Sequence, residues 1–335
     1  EAAVAALGPA LGATLSGVDM ADAEGRPLGV NLLPAAQRRR RRDPRAAWNI
    51  GLVTVLLVAA GAGLWQIRAK RVIYLHMDQF RENSPFITAK DGSEIKNPLL
   101  DVRVRKAISM AINRDVIVER VMEGIAVSAG QLLPDGFFGV SDKLSPLAYD
   151  PDGAKALMAE AGYADGFKMT IHGPNDRYIN DAKIAEAIAQ MLTRVGIETA
   201  VETMPRSVYF GRASKGSPDG LPEFSFILVG WGAGSGEASS PLKALIHTND
   251  PDKGYGATNR GRHSSPEIDA VIQEALATVD DAKRQDLLAK ATEMAMENVA
   301  IIPTHFQVNT WGAKKGLRYI PRTDEYTLAI GVVKE

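Results

Sequence analysis

Between Lys168 and Trp231 the chain repeats one pattern, an apolar run followed by an amphipathic run and then another apolar run. KMTIH from Lys168 reads as a strand, Asn180 to Val195 as a helix closed by Gly196, and ETAVET from Glu198 as a strand; a short helix near Ser207 to Ser214 and the strand FSFILVGW from Phe224 follow. Strands separated by helices cannot pair as hairpins, so this βαβαβ order implies parallel strands with right-handed crossovers. The fold class is therefore α/β. In such sheets small ligands are met beyond the carboxyl ends of the strands. Three loops share that edge: HGPNDRY, which offers Asn175, then MPRSVYF, then GWGAGSGE.

The flanking segments carry ordinary helix and strand signals. VIYLHM from Val72 reads as a strand. Asp101 can cap a helix whose apolar positions Val104, Ala107, Ile108, Ala111 and Ile112 share one face, and Asp115 can start a further turn. Asp150 opens DPDGAKALMAEAGY, which Gly162 stops. Ser265 with Pro266 and Glu267 starts another helix, Asp280 or Asp281 one more to about Glu297, and IIPTHF and TLAIGVV are candidate closing strands. At 335 residues and 45% hydrophobic, the chain can bury a sizeable core and divide into more than one folding unit. Its formal net charge of -1 gives no global field for nucleic acid, and the absence of cysteine excludes disulfides, thiolate metal sites and a cysteine nucleophile.

The basic residues cluster once, at Arg38 to Arg42 with Arg45, directly before the uncharged run Ala46 to Ile67. As a helix that run would measure about 33 Å, enough to cross a hydrocarbon core of about 30 Å, and Trp48 and Trp65 stand near its ends. The positive-inside rule then makes residues 1–45 a cytoplasmic segment, 46–67 a transmembrane helix, and everything after Arg71 extracytoplasmic, anchored in an inner membrane.

The mouth after FSFILVGW does not carry the motifs of catalysis. GWGAGSGEASS lacks the Lys-Ser/Thr ending of a phosphate loop, Ser235 stands where GxGxxG needs its last glycine, and GxSxG fails at Ala233. Ser93-x-x-Lys96, Ser141-Asp142-Lys143 and Lys215-Gly216-Ser217 echo serine penicillin-binding enzymes, which makes a serine hydrolase a third reading. Yet Ser93 lies between a glycine and a proline in DGSEIKNP, where no helix can bring Ser93 and Lys96 together. The five histidines show neither an i,i+4 pair nor a carboxylate at metal-ligand spacing, so neither metal nor cofactor is expected. The residues argue for binding over chemistry. Trp231 offers a flat surface that can stack on a ligand, while Gly232 and Gly234 let the backbone approach it, beside Ser235 and Glu237; equally, Trp231 could plug the sheet end with Glu237 solvated.

Four separated stretches carry a resemblance: NPLLDVRVRKAISMAINRDVIVERVMEGIA, YDPDGAKALMAEAGYADGF, FILVGWGAGSGEASSPL and RHSSPEIDAVIQEALATVDDAKRQDLLAKATEMAMENVAIIPTH. In order and content they resemble the extracellular solute-binding proteins of family 5, the peptide binders of ABC importers, over residues 71–335. The resemblance implies a lobe like that of type II periplasmic binding proteins, closing on a peptide-like solute, delivering it to a membrane permease and performing no chemistry. It carries the ligand role onto Trp231 and its loop, with Asn259 as a neighbour. Relatives that bind peptides place an aspartate three residues after the tryptophan to hold the ligand's amino terminus; here that position is Gly234, so either Glu237 substitutes or the ligand is no free amine. The first half of that fold has no counterpart here. VIYLHM and TLAIGVV are therefore expected to lack most of their sheet partners, to favour association, and to leave a ligand too hydrated for tight binding. Upstream, VAALGPALGATLSG and GVNLLPAAQRRRRR resemble the junction between the actin-like and the fimbrial assembly membrane components of type IV pilus or type II secretion machinery. That resemblance supports an alternative role as an inner-membrane structural component.

Overall fold

The computed structural model describes residues 63–320 and 327–334, within one compact unit that spans residues 61–335. The strands are β1 (Gly63–Met77), β2 (Ile87–Thr88), β3 (Ala126–Ser128), β4 (Phe167–Pro174), β5 (Ile197–Met204), β6 (Phe226–Gly232), β7 (Ile302–Ala313), β8 (Leu317–Tyr319) and β9 (Val332–Lys334). The longer helices are α1 (Val102–Ala111), α2 (Pro151–Glu160), α3 (Asp181–Arg194), α4 (Arg206–Lys215), α5 (Pro266–Ala277) and α6 (Asp281–Glu297).

The alternation between Lys168 and Trp231 folds as its pattern demands. β4 runs parallel to β5 from Phe167 opposite Ile197 to Pro174 opposite Met204, and parallel to β6 through Ile171 and His172. Beyond β6 the sheet turns antiparallel, with β1 between β6 and β7 and with β3 on the far edge of β7; β2 lies against the start of β4. The aspartate caps are made as read. Asp101 accepts from Arg103 N, Asp150 from Gly153 N and Asp280 from Lys283 N, each at 2.8 Å.

Because side chains alternate along a strand, β1 feeds two cores at once. Ile73, Leu75 and Met77 join Phe167, Ile171 and the inner face of α3, where Ile184, Ile188 and Leu192 recur at helical spacing. Val72 and Tyr74 face the other way, among Tyr209, Ile227, Val229, Leu242, Ile272 and Leu288. Each such fully buried side chain stabilises the fold by about 1.5–3 kcal/mol.

Three expectations need correction. VIYLHM is no orphan strand: as part of β1 it is hydrogen-bonded on both sides, to β6 and β7, because both partners lie within this same stretch of chain. In TLAIGVV the bounds differ: Ala329–Gly331 forms a 3-10 turn and the strand comprises Val332–Lys334, which among the described residues pairs with β8 and, as expected, not with the main sheet. The supposed membrane helix at 46–67 falls mostly outside the described residues, and its last part, Gly63–Ile67, is extended β1, whose backbone bonds are made to β7 from Ala313 to Asn309. Among the described residues no helix is long and apolar enough to cross a membrane.

Candidate functional site

The carboxyl ends of β4, β5 and β6 meet at one edge. Asn175 N donates to Met204 O at 3.1 Å, which ties the loop after β4 to the end of β5. Arg206 N, the first of α4, donates to Asp176 Oδ1 at 2.7 Å and holds the next turn of the two loops together. From β6 comes Trp231, half-buried, its ring leaning on the second core and its indole N–H turned inward without an acceptor. Gly232, Gly234 and Ser235 follow it into solvent.

The edge thus gathers Asn175, Trp231, Gly232, Gly234 and Ser235. Glu237 stands apart. Its carboxylate pairs with Arg284 of α6 at 2.5 Å and also accepts from the Ser239 hydroxyl, so it clamps the loop to a helix and faces no solute. Asn259 is fully buried: Nδ2 donates to His247 O at 3.1 Å and His263 O at 2.7 Å, and Oδ1 accepts from His263 N at 3.1 Å. It stitches the loop before α5 and offers no free polar atom. At Gly234, by contrast, an added Cβ would meet nothing within 4 Å, so a side chain could stand there in open space.

Sequence reasoning passed over the cations of this edge. Arg71 on β1 lies opposite Gly232 in the antiparallel register, and its Nη2 lies 3.7 Å from where a Cβ on Gly232 would stand. The Arg71 and Arg177 guanidinium groups sit 5.7 and 5.1 Å from the centre of the Tyr178 ring. Tyr178 donates from its hydroxyl to Gly230 O at 3.3 Å, and burial raises its pKa. Beneath it Asp181, nearly buried, accepts from the backbone N–H groups of Arg177 and Tyr178 and fixes the loop that presents both side chains. Arg177 and Tyr178 were visible in HGPNDRY; Arg71 is reached only through strand register.

Other features fall elsewhere. A cavity of about 570 Å³ opens near the opposite end of the strands, lined by Arg81, Ser84, Phe86, Ile87 and Glu223 among others. His172 is buried, stacked on Phe224 with ring centres 4.1 Å apart, and burial lowers its pKa against the pull of Glu202. Ser93 gives its hydroxyl to Asp91 at 2.7 Å in an exposed turn.

Comparison with known proteins agrees with this architecture. The chain is 30% identical over 222 residues to the dipeptide-binding protein of Escherichia coli (strain K12), an alignment that covers 64% of this chain and 39% of that protein. It is 28% identical over 219 residues to heme-binding protein A of Haemophilus influenzae, covering 64% and 38% of the two. Among solved structures, the ABC-transporter-associated periplasmic binding protein of Helicobacter pylori in complex with a peptide superposes with a TM-score of 0.70 at 21% identity, over 86% of this chain and 51% of that one. The chain therefore spans about two fifths of these curated relatives and about half of that solved chain. Residues 63–253 match the model of the bacterial extracellular solute-binding proteins, family 5, and the chain belongs to that family.

Proposed function

We propose that this chain forms one lobe of the substrate-binding protein of an ABC importer, and that a peptide-like solute rests on the edge formed by Trp231 and the loops after β4 and β5. The convergence of three parallel strand ends on a half-buried tryptophan is the observation that carries this reading. The glycines after Trp231 let a peptide backbone approach the loop closely, and the ring supplies apolar contact area. The long ribbon in which Gly63–Arg68 of β1 pairs with Val308–Ala313 of β7 suits a connection to a second lobe, which would complete the cleft and exclude water on closure. A membrane permease then receives the solute, and the domain works outside the cytoplasm. Anchoring by the segment before β1 rests on the arginine cluster and the uncharged run 46–62 alone.

The test is a fluorescence titration of the full chain with pooled di- and tripeptides, alongside Trp231→Phe. A saturable change that weakens about tenfold in the variant is expected, given what a stacked aromatic contributes. A saturable response that is unchanged in a folded Trp231→Phe protein overturns the placement of the solute on this edge.

A further inference from the structure

We infer that the loop before α5 and the end of α4 form a second binding site, for a phosphate monoester, apart from the solute edge. The inference goes beyond the proposed solute binding and does not depend on it.

Strand register gives the place. Gln79 N donates to Gly261 O at 2.8 Å, so this loop stands at the end of β1 where Met77 lies opposite Phe226, at the start of β6. The solute edge is at the other end, where Arg71 lies opposite Gly232. A cavity of about 320 Å³ opens beside the loop, lined among others by Ser214, Lys215, Asn249, Tyr255, Arg260 and Arg262. That volume falls at the lower end of the range for small-molecule pockets, about 300–1,000 Å³.

The cations of this cavity are positioned without being neutralised. Buried Asn259 bonds His247 O, His263 O and His263 N, which fixes the loop that carries both arginines. Arg260 Nε donates to Ser214 Oγ at 3.1 Å, and its guanidinium lies 5.5 Å from the centre of the Phe210 ring. Arg262 has a left-handed backbone, with φ at +54°, and its Nη1 donates to Asn259 O at 3.2 Å. These partners are all uncharged, and each guanidinium has further N–H groups to give. Lys215 is exposed, and none of the three cations forms an ion pair with a described carboxylate. Neighbouring carboxylates are engaged elsewhere: Asp250 with Lys253 at 3.3 Å and Glu223 with Arg212 at 2.6 Å, while exposed Asp252 does not line the cavity. The positive field reaches into the fold. After burial, the Arg260 charge is the next influence holding the His76 pKa at about 3, and Arg262 acts in the same direction.

Three positive groups on one cavity suit a ligand group with more than one negative charge. A guanidinium gives two parallel hydrogen bonds to the oxygens of a phosphate. A phosphate monoester carries about -1.5 to -2 charges at pH 7 and three acceptor oxygens, so it can engage both arginines and the lysine together. A single carboxylate has one charge and two oxygens. Tyr255, whose ring stacks on His247 with centres 4.2 Å apart, supplies an apolar wall for the organic part of the ester.

The test is calorimetric titration of the full chain with inorganic phosphate and with phenyl phosphate, at a constant ionic strength of about 0.15 M so that screening does not change. Both are expected to bind saturably, phenyl phosphate about threefold more tightly through the Tyr255 wall. Arg260→Gln and Arg262→Asn should each weaken binding about tenfold, asparagine being chosen because it tolerates the left-handed backbone. Lys215→Gln, at an exposed position that the fold does not use, should weaken it about threefold, and Arg177→Gln at the solute edge should leave it unchanged. Saturable binding of neither probe by the folded chain overturns the inference, as does an affinity that Lys215→Gln and the folded arginine variants leave unmoved. Binding lost in Arg177→Gln places the anion at the solute edge and overturns the second site. Binding of inorganic phosphate with exclusion of phenyl phosphate overturns the assignment to an ester.

Discussion

On the proposed site, Gly234 is the position that would set which end of a solute the loop can hold. It has room for a side chain, and its backbone does not require glycine. Gly234→Asp should therefore fold normally and give a solute's ammonium group a partner, raising the affinity for a free-amine dipeptide over its N-acetylated form by about tenfold in paired titrations. No change in that ratio would show that the solute's amino end lies elsewhere. Asn259 teaches the reverse lesson. Its pattern suggested a neighbour of the ligand, yet its amide spans three backbone groups of the loop before α5. Asn259→Ala should cost roughly 2–4 kcal/mol in urea unfolding, because buried carbonyls and an N–H lose their partner. A loss below about 0.5 kcal/mol would mean that water replaces the amide.

Among elements, local signals were read well and long-range pairings were not. Asp150 stands before Pro151 and accepts from Gly153 N, as the cap signature of its sequence requires. Asp150→Ala should lower stability by about 1 kcal/mol, measured as a shift in the urea midpoint with unchanged slope. An unchanged midpoint would show the cap to be redundant with Pro at the first position. The βαβαβ unit was equally visible, since its apolar periods change from 2 to 3.6 and back within each segment. β1 was misjudged for a physical reason. The uncharged run Ala46–Ile67 suits a lipid as well as a sheet, and only the partner β7, more than two hundred residues away, makes Gly63–Met77 one continuous strand.

For the molecule as a whole, burial of histidine sets an acid limit. Burial pushes His305 down to about 4, and burial with the nearby Arg260 charge pushes His76 down to about 3. Above about pH 6.5, the ordinary histidine value, both side chains are neutral whether the chain is folded or not, and their contribution is complete. As the pH falls from there toward 4, the unfolded chain takes up protons that the folded chain refuses, so stability drops by roughly 1 kcal/mol per histidine per unit. Thermal melts at pH 7.5 and 5 should show the loss, and it should shrink in His305→Gln. Equal midpoints at the two pH values would contradict it. Carboxylates such as Glu223, held low by hydrogen bonds and charge from Arg212, weaken the fold only at lower pH.

What the sequence determined by itself was the α/β class, the parallel core and the helix caps, because each follows from periodicity and hydrogen bonding within a few residues. What the tertiary structure alone decided was which polar groups pair within the fold. Glu237 was taken up by Arg284 and Asn259 by the loop it holds. Charges act over distances between side chains that meet only after folding, and no local pattern records which of them will pair.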